Sequence, residues 1–286
     1  MRRTGKKEKD RADGQNRVFR DRYYTETRDP RQTYDLAIPG DVSGSAGLIL
    51  CIHGGGWVEG DKEDYAGPIL QACGEQGVAA ACMNYRYVSE TVGFGDVLDD
   101  VTAALAHIKA TGREYGVDFD RLLLTGISAG GHLSLLYAYA RKDEAPIRPV
   151  GVVALCGPTD LTHPFYYSGD NAVAKAAGVE YFRRILSNGV RDPLPLDDLA
   201  SAFPALARYS PVHYVEEDTV PTVFGHGEKD EIVPYQNALD LDERLTEKNV
   251  PHTFVSFPRS GHGCEDPAAM ARMMELFFAY VNQYLK

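Results

Sequence analysis

The sequence predicts an α/β fold: a mostly parallel central sheet with helices on both faces and a small cap insertion. Three observations carry this expectation. Apolar β-type runs alternate with segments of helical periodicity across residues 34–286, as right-handed βαβ crossovers require. Several of the runs are near-continuous, the pattern of strands buried on both faces of a parallel sheet. Two glycine-rich motifs, His53-Gly54-Gly55-Gly56-Trp57 and Gly126-Ile127-Ser128-Ala129-Gly130, each follow such a run directly. That is the carboxyl-end position where open α/β sheets bind ligands.

Taken in order, Tyr34–Pro39 is a short strand, and Gly47–Ile52 is an apolar strand that runs into His53. Val78–Tyr85 is the next strand. Val97, Val101, Ala104, Leu105 and Ile108 recur at helical spacing, with Gly112 near the stop. Leu122–Thr125 is a buried strand ending at the Ser128 motif, and Ala129–Arg141 is the helix after it. Val150–Cys156, Thr222–Gly225 and Thr253–Phe257 are further strands. Ala238, Leu241 and Leu245 mark a helix, and Met270, Met273, Met274, Phe277, Phe278, Val281 and Leu285 stripe the last one. Residues 161–209 break the alternation and gather aromatics, among them Phe165, Tyr166, Tyr167, Tyr181 and Phe182. An insertion at the carboxyl edge of the sheet reads as a cap over a pocket. The competing reading is a helical excursion whose aromatics are core.

A chain of 286 residues, with 44% hydrophobic and 25% charged residues, suits one soluble domain. The net charge of −11 argues against nucleic acid or anionic membrane as the main partner. Residues 1–22 hold nine Lys/Arg against four Asp/Glu, a balance of +5, so the rest carries −16. Residues 1–33 are therefore expected to be a polar, basic, flexible leader before the domain at 34–286. The N-terminus shows no apolar signal segment and no run suits a membrane span. Cys51, Cys73, Cys82, Cys156 and Cys264 read as free thiols in a reducing compartment, and the expected location is cytoplasmic.

The chemistry lies in the motifs. Gly126-Ile127-Ser128-Ala129-Gly130 has the G-x-S-x-G pattern of a nucleophile elbow, whose small residues suit a tight strand-to-helix turn. A serine hydroxyl needs a base, and the base needs an orienting acid. Among eight histidines, His262 lies on a loop after a late strand and before the last helix, where the base belongs. Asp230 after the Thr222–Gly225 strand gives the chain order Ser, Asp, His. Asp160, one strand earlier, is the rival, with a turn-forming role as its other reading. Gly54, Gly55 and Ala129 can aim backbone N–H groups at an oxyanion. Trp57 either lines the substrate pocket or wedges the loop, and His53 holds the loop by hydrogen bonds.

The segments HGGGW, GISAGG, GEKDEIVP and SGHG resemble the hormone-sensitive-lipase-like carboxylesterases of the α/β-hydrolase superfamily. They are most similar to its small bacterial acetyl and feruloyl esterases acting on carbohydrate, over roughly residues 34–286. The resemblance implies a Ser128–Asp230–His262 triad with an oxyanion hole from Gly54, Gly55 and Ala129. The expected function is hydrolysis of short-chain or aromatic esters through an acyl-enzyme, with a small-molecule ester as partner. An arylformamidase-type amide hydrolase and a catalytically silent hydrolase-fold interaction module are the alternatives. The sequence carries no zinc spacing and no nucleotide-binding glycine motif, so no metal and no cofactor are expected.

Overall fold

The computed structural model describes residues 16–195 and 198–286. Among these, one sheet holds β1 (Arg17–Tyr23), β2 (Thr33–Ile38), β3 (Gly44–Ile52), β4 (Ala79–Met83), β5 (Val117–Ile127), β6 (Arg148–Leu155), β7 (Thr222–Gly227) and β8 (His252–Phe257). Their spatial order is β1-β2-β4-β3-β5-β6-β7-β8. The β1–β2 and β2–β4 pairs are antiparallel, and every pairing from β4 onward is parallel.

The parallel connections are made by α1 (Glu63–Glu75), α2 (Phe94–Glu114) and α3 (Ala129–Ala140). Between β6 and β7 the chain leaves the sheet through α4 (Ala172–Ala177), α5 (Val179–Val190) and α6 (Phe203–Ala207). Helix α7 (Gln236–Glu247) returns it to β8, and α8 (Pro267–Tyr280) closes the fold. Asp266 starts α8 by accepting from the Ala268 and Ala269 amides, with Pro267 at the first helical position.

Side chains alternate across a strand, so each strand feeds two cores. Leu48, Leu50 and Ile52 of β3 pack with Val97 and Val101 of α2 and Leu133 and Leu136 of α3. Ile49 and Cys51 point the other way, toward Leu70 of α1 and Met273 and Phe277 of α8. This two-sided burial is why β3 is apolar without a break from Ala46 to Ile52. The five cysteines are buried and free, and the Cys156 and Cys264 thiols meet at 2.7 Å.

The expected leader at 1–33 needs correcting. Residues 1–15 lie outside the described residues, but 17–33 belong to the domain as β1, the turn that follows it and the first residue of β2. Two of the charges that suggested a solvated tail, Arg20 and Asp21, pair with residues of the domain. Arg20 bonds to Asp35 at 2.6 Å, and the Asp21 amide donates to the same carboxylate at 2.8 Å. The Lys62 ammonium is buried against Asp35 and Asp21 at 3.0 and 2.8 Å. Burial would lower the Lys62 pKa, but its bonds to Asp21, Glu63 and Asp35 raise it. Helix α1 was also not foreseen, because Gly67, Pro68 and Gly74 interrupt its pattern.

Candidate active site

Strand β5 ends at Ile127, and Ser128 turns directly into α3 with φ 56° and ψ −124°. A non-glycine residue held there is strained, at roughly 1–3 kcal/mol, and this turn lifts the side chain above the sheet edge. The turn is possible because the chain packs without side chains around it. A Cβ on Gly130 would sit 2.0 Å from the Ile52 carbonyl oxygen, and one on Gly126 2.5 Å from the Gly130 backbone. Ser128 makes no side-chain cap to α3, so its hydroxyl is free for other work.

That hydroxyl meets His262. Ser128 Oγ lies 2.8 Å from His262 Nε2, and His262 Nδ1 lies 2.7 Å from Asp230 Oδ2. Asp230 only accepts when ionised, so Nδ1 carries the proton and Nε2 is free to receive one from Ser128. The other carboxylate oxygen, Oδ1, accepts from the Ile232 and Val233 amides at 2.8 and 2.9 Å. His226 Nε2 reaches Asp230 Oδ2 at 3.1 Å and the Val233 carbonyl at 3.0 Å. Burial alone would raise the Asp230 pKa, but the bonds from His226 and His262 hold it well below the ordinary carboxylate range.

Asp160 is elsewhere. Its Oδ1 accepts from the amide and hydroxyl of Thr162 at 2.8 and 2.7 Å, a local turn at the start of the helical excursion. Cys156, His226 and Asp230 bring potential ligand atoms within 4.8 Å of one another, but His226 and Asp230 are already engaged in the bonds just described.

The glycine loop is built from outside. A Cβ on Gly54 would stand 3.0 Å from the Ile127 carbonyl and 3.4 Å from Ser128 Cβ, so this residue abuts Ser128. Gly55 has φ +104°, and a side chain there would collide with Glu59. His53 stacks on Tyr85 at 4.3 Å between ring centroids. Arg31 donates to His53 Nε2 at 3.0 Å, which leaves His53 Nδ1 to donate to the Gly54 carbonyl at 2.7 Å. Arg31 also bonds the Gly60 carbonyl and Asp61 and lies over the Tyr87 ring at 4.1 Å. Sequence reasoning missed Arg31, which falls within the expected leader.

Trp57 is 2% exposed, with φ 65°. Its Nε1 donates to His132 Nδ1 at 3.1 Å, and its ring meets Phe94 edge-on at 5.1 Å. His132 in turn donates from Nε2 to the Tyr209 carbonyl at 2.7 Å. Trp57 borders the pocket, and its indole packs between the loop and the α2–α3 core.

Burial pushes the pKa of both His53 and His132 down to about 4. Unfolding returns each to about 6.5, so below that pH the unfolded chain binds protons that the folded chain refuses. Their stabilising contribution is complete above pH 6.5. It is lost as pH falls toward 4, by about 3 kcal/mol per residue at the acid end. Urea midpoints from pH 7.5 to 4.5 should fall, and His132→Gln should fall less steeply than the parent. Equal slopes would refute this assignment.

The hydroxyl of Ser128 opens into a pocket of about 390 Å³. Gly54, Gly55, Ala129 and His262 line one side, while Tyr166, Tyr181, Phe182 and Ile185 of the helical excursion line another. Tyr65, in the first turn of α1, forms part of the wall. Burial raises its phenol pKa, and the nearby Gly54 backbone opposes the rise. No sequence signal marked Tyr65, because its helix was not foreseen.

The BD-FAE family model matches residues 34–245. The chain belongs to the BD-FAE family. Among curated relatives, the probable carboxylic ester hydrolase LipM of Mycobacterium tuberculosis is 30% identical over 247 residues, covering 84% of this chain and 56% of LipM. Esterase LipC of the same organism is 24% identical, over 89% of this chain and 63% of LipC. The chain thus spans a little over half the length of these relatives. A solved structure described as a truncated form of a carbohydrate esterase from gut microbiota superposes with TM-score 0.72 at 21% identity, over 96% of this chain and 100% of that one. That likeness shows the α/β-hydrolase fold. For this BD-FAE member, no described helix is long and apolar enough to cross a membrane.

Proposed function

We propose that this chain is a serine hydrolase of carboxylic esters that works through an acyl-enzyme. The observation that carries the reading is His262, placed between Ser128 at 2.8 Å and Asp230 at 2.7 Å. Ser128 Oγ attacks the ester carbonyl carbon while His262 Nε2 takes its proton. Negative charge on the carbonyl oxygen is met by the backbone N–H groups of Gly54, Gly55 and Ala129. The tetrahedral intermediate collapses, His262 returns the proton to the leaving alkoxide, and Ser128 is left acylated. Water then repeats the sequence, releasing the acid and restoring the hydroxyl. Asp230 fixes the imidazole orientation and stabilises the imidazolium.

The substrates we assign are esters with short or aromatic acyl groups, including acetyl or feruloyl groups on carbohydrate. A pocket of about 390 Å³ with Tyr166, Tyr181 and Phe182 on its wall suits a small ester with a ring-bearing alcohol or acid. The descriptions of LipM as a carboxylic ester hydrolase and LipC as an esterase support the reaction class. The cytoplasmic placement is likewise our proposal, supported by five buried cysteines without a disulfide among the described residues.

The test is a panel of acetyl, butyryl and octanoyl p-nitrophenyl esters, methyl ferulate, acetylated xylo-oligosaccharide and N-formylkynurenine. Turnover of the acetyl and butyryl esters is expected. Preferential cleavage of N-formylkynurenine would move the assignment to amide hydrolysis. A fluorophosphonate that leaves Ser128 unlabelled would overturn the enzyme reading.

Arg31→Ala should lower kcat on p-nitrophenyl acetate by about 10- to 100-fold, since small misplacements of catalytic donors cost that much. Arg31→Lys should not rescue it, because an ammonium lacks the planar fork that reaches His53, Gly60 and Asp61. A kcat within twofold of the parent would show that the loop holds itself.

A further inference from the structure

Strand β5 lies in the middle of the sheet, yet Thr125, Gly126 and Ile127 at its carboxyl end are partly exposed. Helices α1 and α8 stand apart over this end of the sheet. Between them lies an apolar chamber of about 410 Å³, walled by Ile69 and Ala72 of α1 and Met270, Met274 and Phe278 of α8. Tyr65 and Ile127 line both this chamber and the catalytic pocket, and they are the two residues common to both linings. Ile127 is peptide-bonded to Ser128, so the chamber begins one residue from the proposed nucleophile.

We infer that Tyr65, together with Ile127, is the partition that sets acyl-chain length, closing the catalytic pocket against an apolar chamber able to take the hydrocarbon tail of a medium-chain acyl group. This rests on the ester-hydrolase reading. With the partition closed, one pocket of about 390 Å³ must hold both acyl and alcohol groups, which favours short acyl chains. With the ring removed, the tail passes Ile127 and lies between α1 and α8, against apolar side chains that supply no competing polar groups. Each methylene that becomes buried there is worth about a fourfold gain in binding.

The experiment compares kcat/KM for p-nitrophenyl butyrate and octanoate. The parent should favour butyrate. Tyr65→Ala should raise the octanoate-to-butyrate ratio at least tenfold. Tyr65→Phe, which keeps the ring and loses only the hydroxyl, should leave the ratio near the parent value even where both rates change. Adding Ala72→Trp to Tyr65→Ala refills the chamber and should return the ratio toward the parent. Should Tyr65→Ala fail to fold, Tyr65→Leu carries the same test with a smaller change. An active parent with an unchanged ratio in the shortened variants, or a parent that already prefers octanoate, overturns the partition. No turnover of either ester by any protein, the parent included, overturns the hydrolase reading itself and the partition with it.

Discussion

Ser128→Ala is expected to cut kcat on p-nitrophenyl acetate by about 10⁴- to 10⁶-fold while leaving the protein folded. The loss is large because in the proposed reaction the hydroxyl is the attacking group, and His262 Nε2 has no other proton to take at 2.8 Å. The fold should survive because the side chain makes no cap to α3. The strained backbone there comes from the close approach of Gly126, Gly130 and Ile52 and does not depend on the hydroxyl. His262→Ala should be about as damaging, since nucleophile and base act as a unit, and the double variant should be little worse than either single one. The measurement is steady-state kinetics beside a thermal melt. A Ser128→Ala protein with activity within tenfold of the parent would remove Ser128 from the reaction.

The parts of this molecule legible in its sequence are those where one local demand fixes several neighbouring residues. The elbow needs a strand, a tight turn and a helix in succession, so its small residues stand together around Ser128. The central stretches of β3 and β5, Ala46–Ile52 and Leu122–Leu124, are buried on both faces, so they read as unbroken apolar runs. The parts that were not legible depend on partners far along the chain. Strand β1 is an edge strand whose one buried side chain is Phe19. Its charges read as a solvated tail until Asp35 and Lys62 are placed beside them. Arg31 acquires its role only through His53, Gly60 and Asp61, and nothing in its own neighbours announces that. Trp57 and His132 are 75 positions apart and meet across the α2–α3 core. His226 resembles any buried strand-end histidine until its 3.1 Å contact with Asp230 is seen.

Asp230→Asn separates the two candidate acids that the sequence offered. The carboxamide keeps an oxygen to accept from the Ile232 and Val233 amides, and His226 keeps the Val233 carbonyl as an acceptor. The loop should therefore hold its shape. What changes is the partner of His262 Nδ1, now 2.7 Å from a group that presents an N–H donor where the carboxylate accepted. The imidazole answers by placing its proton on Nε2, the atom that must be empty to receive the Ser128 proton, and the imidazolium loses its counter-charge. A loss of about 10⁴-fold in kcat is expected, with KM nearly unchanged. Because the Asp230 carboxyl is held well below the ordinary range, the parent keeps its charge at mildly acid pH. The defect should therefore persist from pH 5.5 to 8. Asp160→Asn retains an oxygen for the Thr162 amide and hydroxyl and lies apart from His262, so its kcat should stay within a few fold of the parent. The reverse outcome, a crippled Asp160→Asn beside an active Asp230→Asn, would transfer the acid to the end of β6 and leave the 2.7 Å contact with His262 without a catalytic role.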